Sequence, residues 1–123
     1  MDLTTEAIRL GMNMARLRAE VASANISNVD VAGYRAQRVD FGEAMGLLRE
    51  AATDPAMATD RLVELTPTAL RDSVYAADSG ADASTSLDGQ VADLESASVD
   101  FQSLTTILSR RFALMQLAMA GRN

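Results

Sequence analysis

The side chains in this sequence able to do chemistry are carboxylates, hydroxyls, amides and guanidinium groups. Seventeen Asp and Glu stand against 11 basic residues, all of them arginine, and His, Cys and Trp are absent from the 123 residues. Without cysteine there is no thiol nucleophile, disulfide or thiolate zinc site. Without histidine there is no imidazole base, no Ser-His-Asp triad and no histidine-bound metal. Without lysine there is no Schiff base and no phosphate-loop lysine. Carboxylates alone could still serve an enzyme, but no constellation for one stands out along the chain. Asp78, Asp82 and Asp88 come nearest to a calcium cluster, and their spacing does not match an EF-hand loop. They read as a solvated loop. The expectation is a protein that is not an enzyme and has no cofactor, no metal site and no catalytic residue.

Charge and composition narrow the partners. A net charge of −6 argues against duplex nucleic acid, whose phosphates call for clustered Lys and Arg. Aromatic residues are 4% of the chain, too few for a base-stacking surface. Ala occurs 22 times and Met 7 times, both good helix formers that bury little rigid bulk. No run approaches the roughly 18 apolar residues of a membrane span. The opening residues lack the basic and apolar regions of a cleavable signal, so none is expected.

The elements that would position any site fall into three parts. Over residues 1–28, Leu3, Ala7, Leu10, Met14, Leu17, Val21 and Ala24 recur in steps of four and three, with Asn28 next in register. This heptad stripe predicts one long helix, with Asp2 as its cap and Glu6 in its first turn. Over 86–123 a second stripe runs through Leu87, Val91, Leu94, Ser98, Phe101, Thr105, Leu108, Phe112, Met115 and Met119, widened by Ala97, Leu104, Ile107, Leu114 and Ala118. It predicts a second long helix, capped by Ser86 and ended at Gly121. Residues 29–85 form a different, flexible middle segment with a net charge of −5. A short helix is expected over Phe41–Ala52, a short strand over Arg61–Leu65, and a polar loop over Ala76–Thr85, with Asp54-Pro55 and Thr66-Pro67 as breakers.

The predicted fold is mainly α. The two terminal helices form an antiparallel, coiled-coil-like hairpin that makes one domain from 1–28 and 86–123. Two helices cannot cover the wide second stripe, so apolar surface should remain exposed on a monomer and drive oligomerisation.

The stretch Asn25-Ile26-Ser27-Asn28 followed by Gly33-Tyr34-Arg35 resembles the N-terminal signature of bacterial flagellar rod and hook proteins. In that family the pattern is Asn-Leu/Ile-Ala-Asn, then Thr-Pro-Gly-Tyr and a basic residue. Val31-Ala32 stands here in place of Thr-Pro. Near the other end, Leu87-Asp88-Gly89-Gln90 resembles the opening of the family's last helix, with Gln90 where Glu is usual. Phe101-Gln102-Ser103-Leu104, Leu108-Ser109-Arg110-Arg111-Phe112 and Ala118-Met119-Ala120-Gly121-Arg122 are similar to runs of the FlgB-like proximal rod subunits.

The resemblance implies a structural subunit of the basal-body rod in the periplasm. Such a subunit is exported through the flagellar type III apparatus and assembles helically through its terminal helices into a torque-transmitting tube. Its partners would be further copies of itself, the neighbouring rod protein FlgC, the adaptor FliE, the ring protein FliF and the export gate, with no nucleic acid and no direct membrane span. The assembly interface would use Leu10, Met14, Leu17, Val21, Asn25, Asn28, Leu94, Phe101, Leu104, Leu108, Phe112 and Met115. Gly33, Tyr34 and Arg35 would set a turn. Phe41 with Met45 resembles the Phe-x-x-x-apolar element by which early substrates engage the export gate, and equally reads as an ordinary amphipathic turn. A paralogue such as FlgC, or an unrelated helical adaptor or coiled-coil oligomer, are the alternative readings.

Overall fold

The computed structural model describes residues 3–77 and 87–121. The caps expected at Asp2 and Ser86, the acidic positions Asp78 and Asp82, and most of the polar loop lie outside the described residues. The chain begins with α1 (Leu3–Ser27) and passes through strand β1 (Gln37–Val39), α2 (Gly42–Thr53), α3 (Pro55–Glu64) and the short α4 (Pro67–Leu70). A 3-10 turn (Arg71–Ser73) leads to strand β2 (Val74–Ala76), and α5 (Leu87–Ala120) completes the described chain. No described helix is long and apolar enough to cross a membrane.

The two long helices form as the heptad stripes require, and they run antiparallel. Arg111 Nε donates to Thr5 Oγ1 (3.3 Å), Arg18 pairs with Asp100 (2.8 Å), and Asn25 bonds Gln90 (3.0 Å), so positions rising along α1 meet positions falling along α5.

On α1, the face that meets α5 is not the one the leucine stripe suggests. Leu3, Leu10, Met14, Leu17 and Val21 of α1 pack with Ala44, Leu47, Leu48, Leu62 and Leu70, so the leucine stripe turns to the middle segment. No residue of α5 belongs to this core cluster. Instead α5 lies along the neighbouring face of α1, about 80° round the helix, where Gly11, Ala15, Arg18, Ala22 and Asn25 align. Its own inward side runs through Gln90, Leu94, Ala97, Phe101, Leu104, Leu108 and Arg111, which keeps Leu94, Phe101 and Leu108 of the expected stripe and turns it toward the Ala97 and Leu104 side. Gln90 and Ala97 are buried there, while Leu87 and Val91 are exposed. The reason is steric. A helix side lined by Gly and Ala lets a second backbone approach closely, and a Cβ built on Gly11 would stand 3.1 Å from Leu104 Cδ1. The bulkier leucine side needs the shorter, separate helices of the middle to fill it.

The middle segment is therefore a structural half of the molecule. The breakers act as helix starts: Pro55 and Pro67 take first-turn positions, where a missing N–H costs nothing, and Thr66 Oγ1 accepts from Ala69 N at 3.2 Å. The helix expected over Phe41–Ala52 is α2. The strand expected over Arg61–Leu65 is corrected, because Arg61–Glu64 close α3 and bury Leu62 while leaving Val63 exposed. One apolar contact per helical turn outweighs a weak alternation in so short a run. The strands lie outside that run. Gln37, Arg38 and Val39 pair antiparallel with Ala76, Tyr75 and Val74, and Ala77 N donates to Ala36 O at 2.8 Å beyond the ladder. This ribbon brings the two ends of the middle segment together beside the C-terminal end of α1.

The tight crossing at Gly11 is testable by urea unfolding. In Gly11→Ala the gain in helix propensity, about 1 kcal/mol, offsets the small shift demanded of the flexible Leu104 side chain, so stability should stay within about 0.5 kcal/mol of the parent. Gly11→Val pushes two methyl groups into the same gap and should cost about 1–3 kcal/mol.

Candidate assembly surface and the hub that positions it

At the end of α1 the chain must leave the helix, turn, and start β1 against the side of the hairpin. Asn28 stops the helix: its backbone N–H and its Nδ2 both donate to Ala24 O, at 3.2 and 2.7 Å. The turn then reaches Gly33 with φ +78°, and no other described residue takes a positive φ. A Cβ there would meet nothing within 4 Å, so what reserves the position for glycine is conformation and not space.

Asn25, one turn before the end of α1 and 1% exposed, is the hub of this region. Its Oδ1 accepts from Tyr34 Oη at 2.9 Å and from Gln37 N at 2.8 Å. Its Nδ2 donates to Gln37 O at 3.0 Å and to Gln90 Oε1 at 3.0 Å. Two acceptor lone pairs and two donor hydrogens are the whole capacity of a carboxamide, and all four are used. One side chain thereby joins α1, the post-helix turn, the ribbon and the start of α5. Arg35 adds a second tie, donating from Nε to Ala77 O at 2.6 Å across the ends of the middle segment. No buried side-chain N or O among the described residues lacks a partner.

The residues expected at an assembly interface divide into four groups. Leu10, Leu17 and Val21 are buried, and Met14 half-buried, inside the subunit's own core. Asn25 and Asn28 bond within the subunit, as described above. Leu94, Phe101, Leu104 and Leu108 are half-buried on the side of α5 that faces α1. Phe112 and Met115 are exposed. Of the turn residues, Tyr34 and Arg35 make the bonds just given, and Gly33 supplies the positive φ. Phe41 is half-buried against the core, whereas Met45, four residues on, is exposed.

The exposure of Phe112 and Met115 follows from helix length. α5 has 34 residues and α1 has 25. With Arg111 already level with Thr5, the last turns of α5 extend past the described start of α1. Along this extension Leu114 is 66% exposed, Leu117 69% and Met119 73%, and residues 112–121 carry no charge. Phe112, Met115 and Met119 prolong the inward stripe beyond its partner, while Leu114 and Leu117 point elsewhere around the helix. The extension is an exposed apolar surface among the described residues.

Sequence reasoning missed the contributions of Gln37, Gln90 and the Thr5–Arg111 contact. For Gln90 a weak signal existed, since it stands where the resembling family has another long polar side chain. For Gln37 there was none, because it uses its backbone.

Residues 9–35 match the family model for flagella basal body rod proteins. The match covers 27 of the 123 residues and shows a likeness to the rod proteins over that segment. The matched stretch contains most of α1, the Asn28 stop, the Gly33 turn and the Asn25–Tyr34 hydrogen bond, so the family's signature coincides with the hub. No curated protein matches the chain. The rod family is a structural component of the flagellar basal body, and that is the role and the location the match supports, in company with other rod and basal-body components.

Substitutions at Asn25, Tyr34 and Gly33 check the hub. Tyr34→Phe removes one hydrogen bond and should cost about 1 kcal/mol, and Asn25→Ala strips partners from Tyr34, Gln37 and Gln90 together and should cost about 3 kcal/mol or more. Because both act on one bond, the double variant should be less destabilised than the sum, as a double-mutant cycle by urea unfolding would show. At Gly33, Ala should cost about 1–2 kcal/mol and Asn clearly less, since Asn tolerates the left-handed region.

Proposed function

We propose that this chain is a structural subunit of the proximal rod, similar to FlgB, that is exported through the flagellar type III apparatus and assembles helically in the periplasm. What carries this reading is the rod-family signature at residues 9–35, whose Asn25 and Tyr34 meet inside the fold. The FlgB-like runs over 101–122 support the placement within the rod, and the uncovered end of α5 suits a polymer whose neighbours complete each subunit. In such a wall α1 and α5 lie toward the channel and transmit torque along their length. FlgC, FliE and FliF are the adjoining partners on this reading, and the export gate handles the chain before assembly. The role is mechanical, and it needs no catalytic residue and no cofactor.

Electron cryo-microscopy of basal bodies from a strain carrying the tagged chain should place it in the lower rod, and its deletion should leave motors without a rod. A complete rod in the deletion strain, with the tagged chain elsewhere, rejects the proposal. For the export element, secretion of Met45→Ala should fall severalfold while its thermal unfolding matches the parent, because Met45 is on the surface. Phe41→Ala should fall in both secretion and stability, because Phe41 also packs on the core. Normal secretion of Met45→Ala removes residues 41–45 from the export step.

A further inference from the structure

We propose that the outer edge of β2 is a docking site for an extended, basic segment of a partner protein, which adds to the ribbon as a third strand with its basic side chains toward the acidic cleft beside it. The proposal goes beyond the rod reading and does not rest on it.

One edge of the ribbon is occupied by Asn25 and the other is open. In an antiparallel ladder, pairs that exchange hydrogen bonds alternate with pairs whose backbone groups point away. Ala77 N donates to Ala36 O at 2.8 Å and Asp40 N to Ser73 O at 2.9 Å, so the outward pairs are Gln37 with Ala76 and Val39 with Val74. On β1 the outward N–H and C=O of Gln37 both meet the Asn25 side chain, at 2.8 and 3.0 Å, so the carboxamide stands where a neighbouring strand would. On β2 the Val74 N–H turns back to Arg71 O. The carbonyl of Val74 and both backbone groups of Ala76 have no hydrogen bond among the described residues. Tyr75 and Ala76 are exposed, so an incoming chain can reach this edge. Strand addition uses unpaired edge groups of this kind.

Charge selects the occupant. Beside the ribbon lies a cleft of about 620 Å³, with buried Leu47 and Leu70 in its floor, Tyr75 in its wall, and exposed Glu43, Glu64 and Asp72 around it. These three carboxylates make no ion pair among the described residues, whereas Arg61, also on the cleft, is held by Glu50 at 2.7 Å. Arg38, opposite Tyr75 on the ladder, lines a different hollow beside Asp93. An added strand would lie roughly 5 Å from β2, with every second side chain on the Tyr75 face. There a guanidinium or ammonium meets the tyrosine ring and the unpaired carboxylates together. A second copy does not fit this description. Two β2 edges would bring together two middle segments of charge −5, and this chain's cationic run, residues 101–123 with three arginines and no carboxylate, is helical as far as Ala120.

The test titrates an acetylated, amidated peptide, Val-Arg-Val-Arg-Val, into the isotope-labelled full chain and follows amide signals by NMR. The peptide should bind with its largest shift at Ala76, and added salt should weaken it. Its acidic counterpart, Val-Glu-Val-Glu-Val, should not bind. In Glu64→Gln/Asp72→Asn, both positions are exposed, so thermal unfolding should match the parent. The affinity of this variant for the basic peptide should fall about threefold. Proline is tolerated on an edge strand where the N–H faces solvent, so Ala76→Pro should fold and weaken binding about fivefold or more. Methylating the peptide backbone separates strand pairing from charge without touching the protein. Peptides N-methylated on the arginines or on the valines should differ in affinity by about fivefold or more, because only alternate N–H groups face β2. Equal binding of the two methylated peptides overturns the proposal, as does binding of the acidic peptide or no binding of the basic one at millimolar concentration. A peptide-independent dimer that Ala76→Pro abolishes overturns it in favour of a second copy at this edge.

Discussion

The arrangement depends on the saturated carboxamide of Asn25. A buried amide with an unfilled lone pair or N–H costs more than a hydrogen bond gains. Here that asymmetry becomes a geometric constraint. The hydroxyl of Tyr34 has to come back over the end of α1, the backbone of Gln37 has to present both its N–H and its C=O, and Gln90 has to meet the amide from across the hairpin. These demands fix where the middle segment leaves α1 and which turn of α5 stands opposite. Gly33 makes the return of Tyr34 possible, because its positive φ lets the chain reverse within a few residues of the Asn28 stop.

With the register fixed at that end, the division of labour on α1 follows. One side carries branched and long apolar residues and gathers α2, α3 and α4. The adjacent side carries Gly11, Ala15 and Ala22 and lets α5 come close. The first contact is a conventional apolar core. The second has small residues flanked by polar ties, Arg18 with Asp100 and Arg111 with Thr5. The buried leucines thus pack between α1 and the middle, and the long helix is held by close fit around Ala15, Ala22 and Ala97, by half-buried Leu94, Phe101, Leu104 and Leu108, and by hydrogen bonds. This also explains why the end of α5 is left over. Its register is set at Gln90, its length exceeds that of α1, and the excess falls at the far end, past the described start of α1.

Much of this was legible in the sequence. Leu10, Leu17 and Val21 announced a helix with a buried stripe, and Phe101, Leu104 and Leu108 another, because a period of 3.5 is a local property that needs no knowledge of partners. Asn25, Gly33 and Tyr34 announced a special turn, since their residue types have few uses in that order. The short strand was misplaced. Alternation over five residues near Leu62 is indistinguishable from one turn of a helix, and Gln37–Val39 and Val74–Ala76 are strands only because each finds the other across the chain.

By itself, then, the sequence determined the chemistry that is missing, the two long helices with nearly their observed ends, the turn between α1 and the ribbon, and the rod-family signature within it. Those are matters of composition, periodicity and residue type, and each is decided within a few turns of chain. Only the tertiary structure decided which partner each stripe meets, that the leucine face of α1 belongs to the acidic middle and its small face to α5, and that Asn25 bonds within the subunit. The physical reason is that periodicity gives a face its direction on the helix and not its destination. The destination is chosen by packing volume and by the need to fill every buried hydrogen-bonding position, and both are properties of the whole fold.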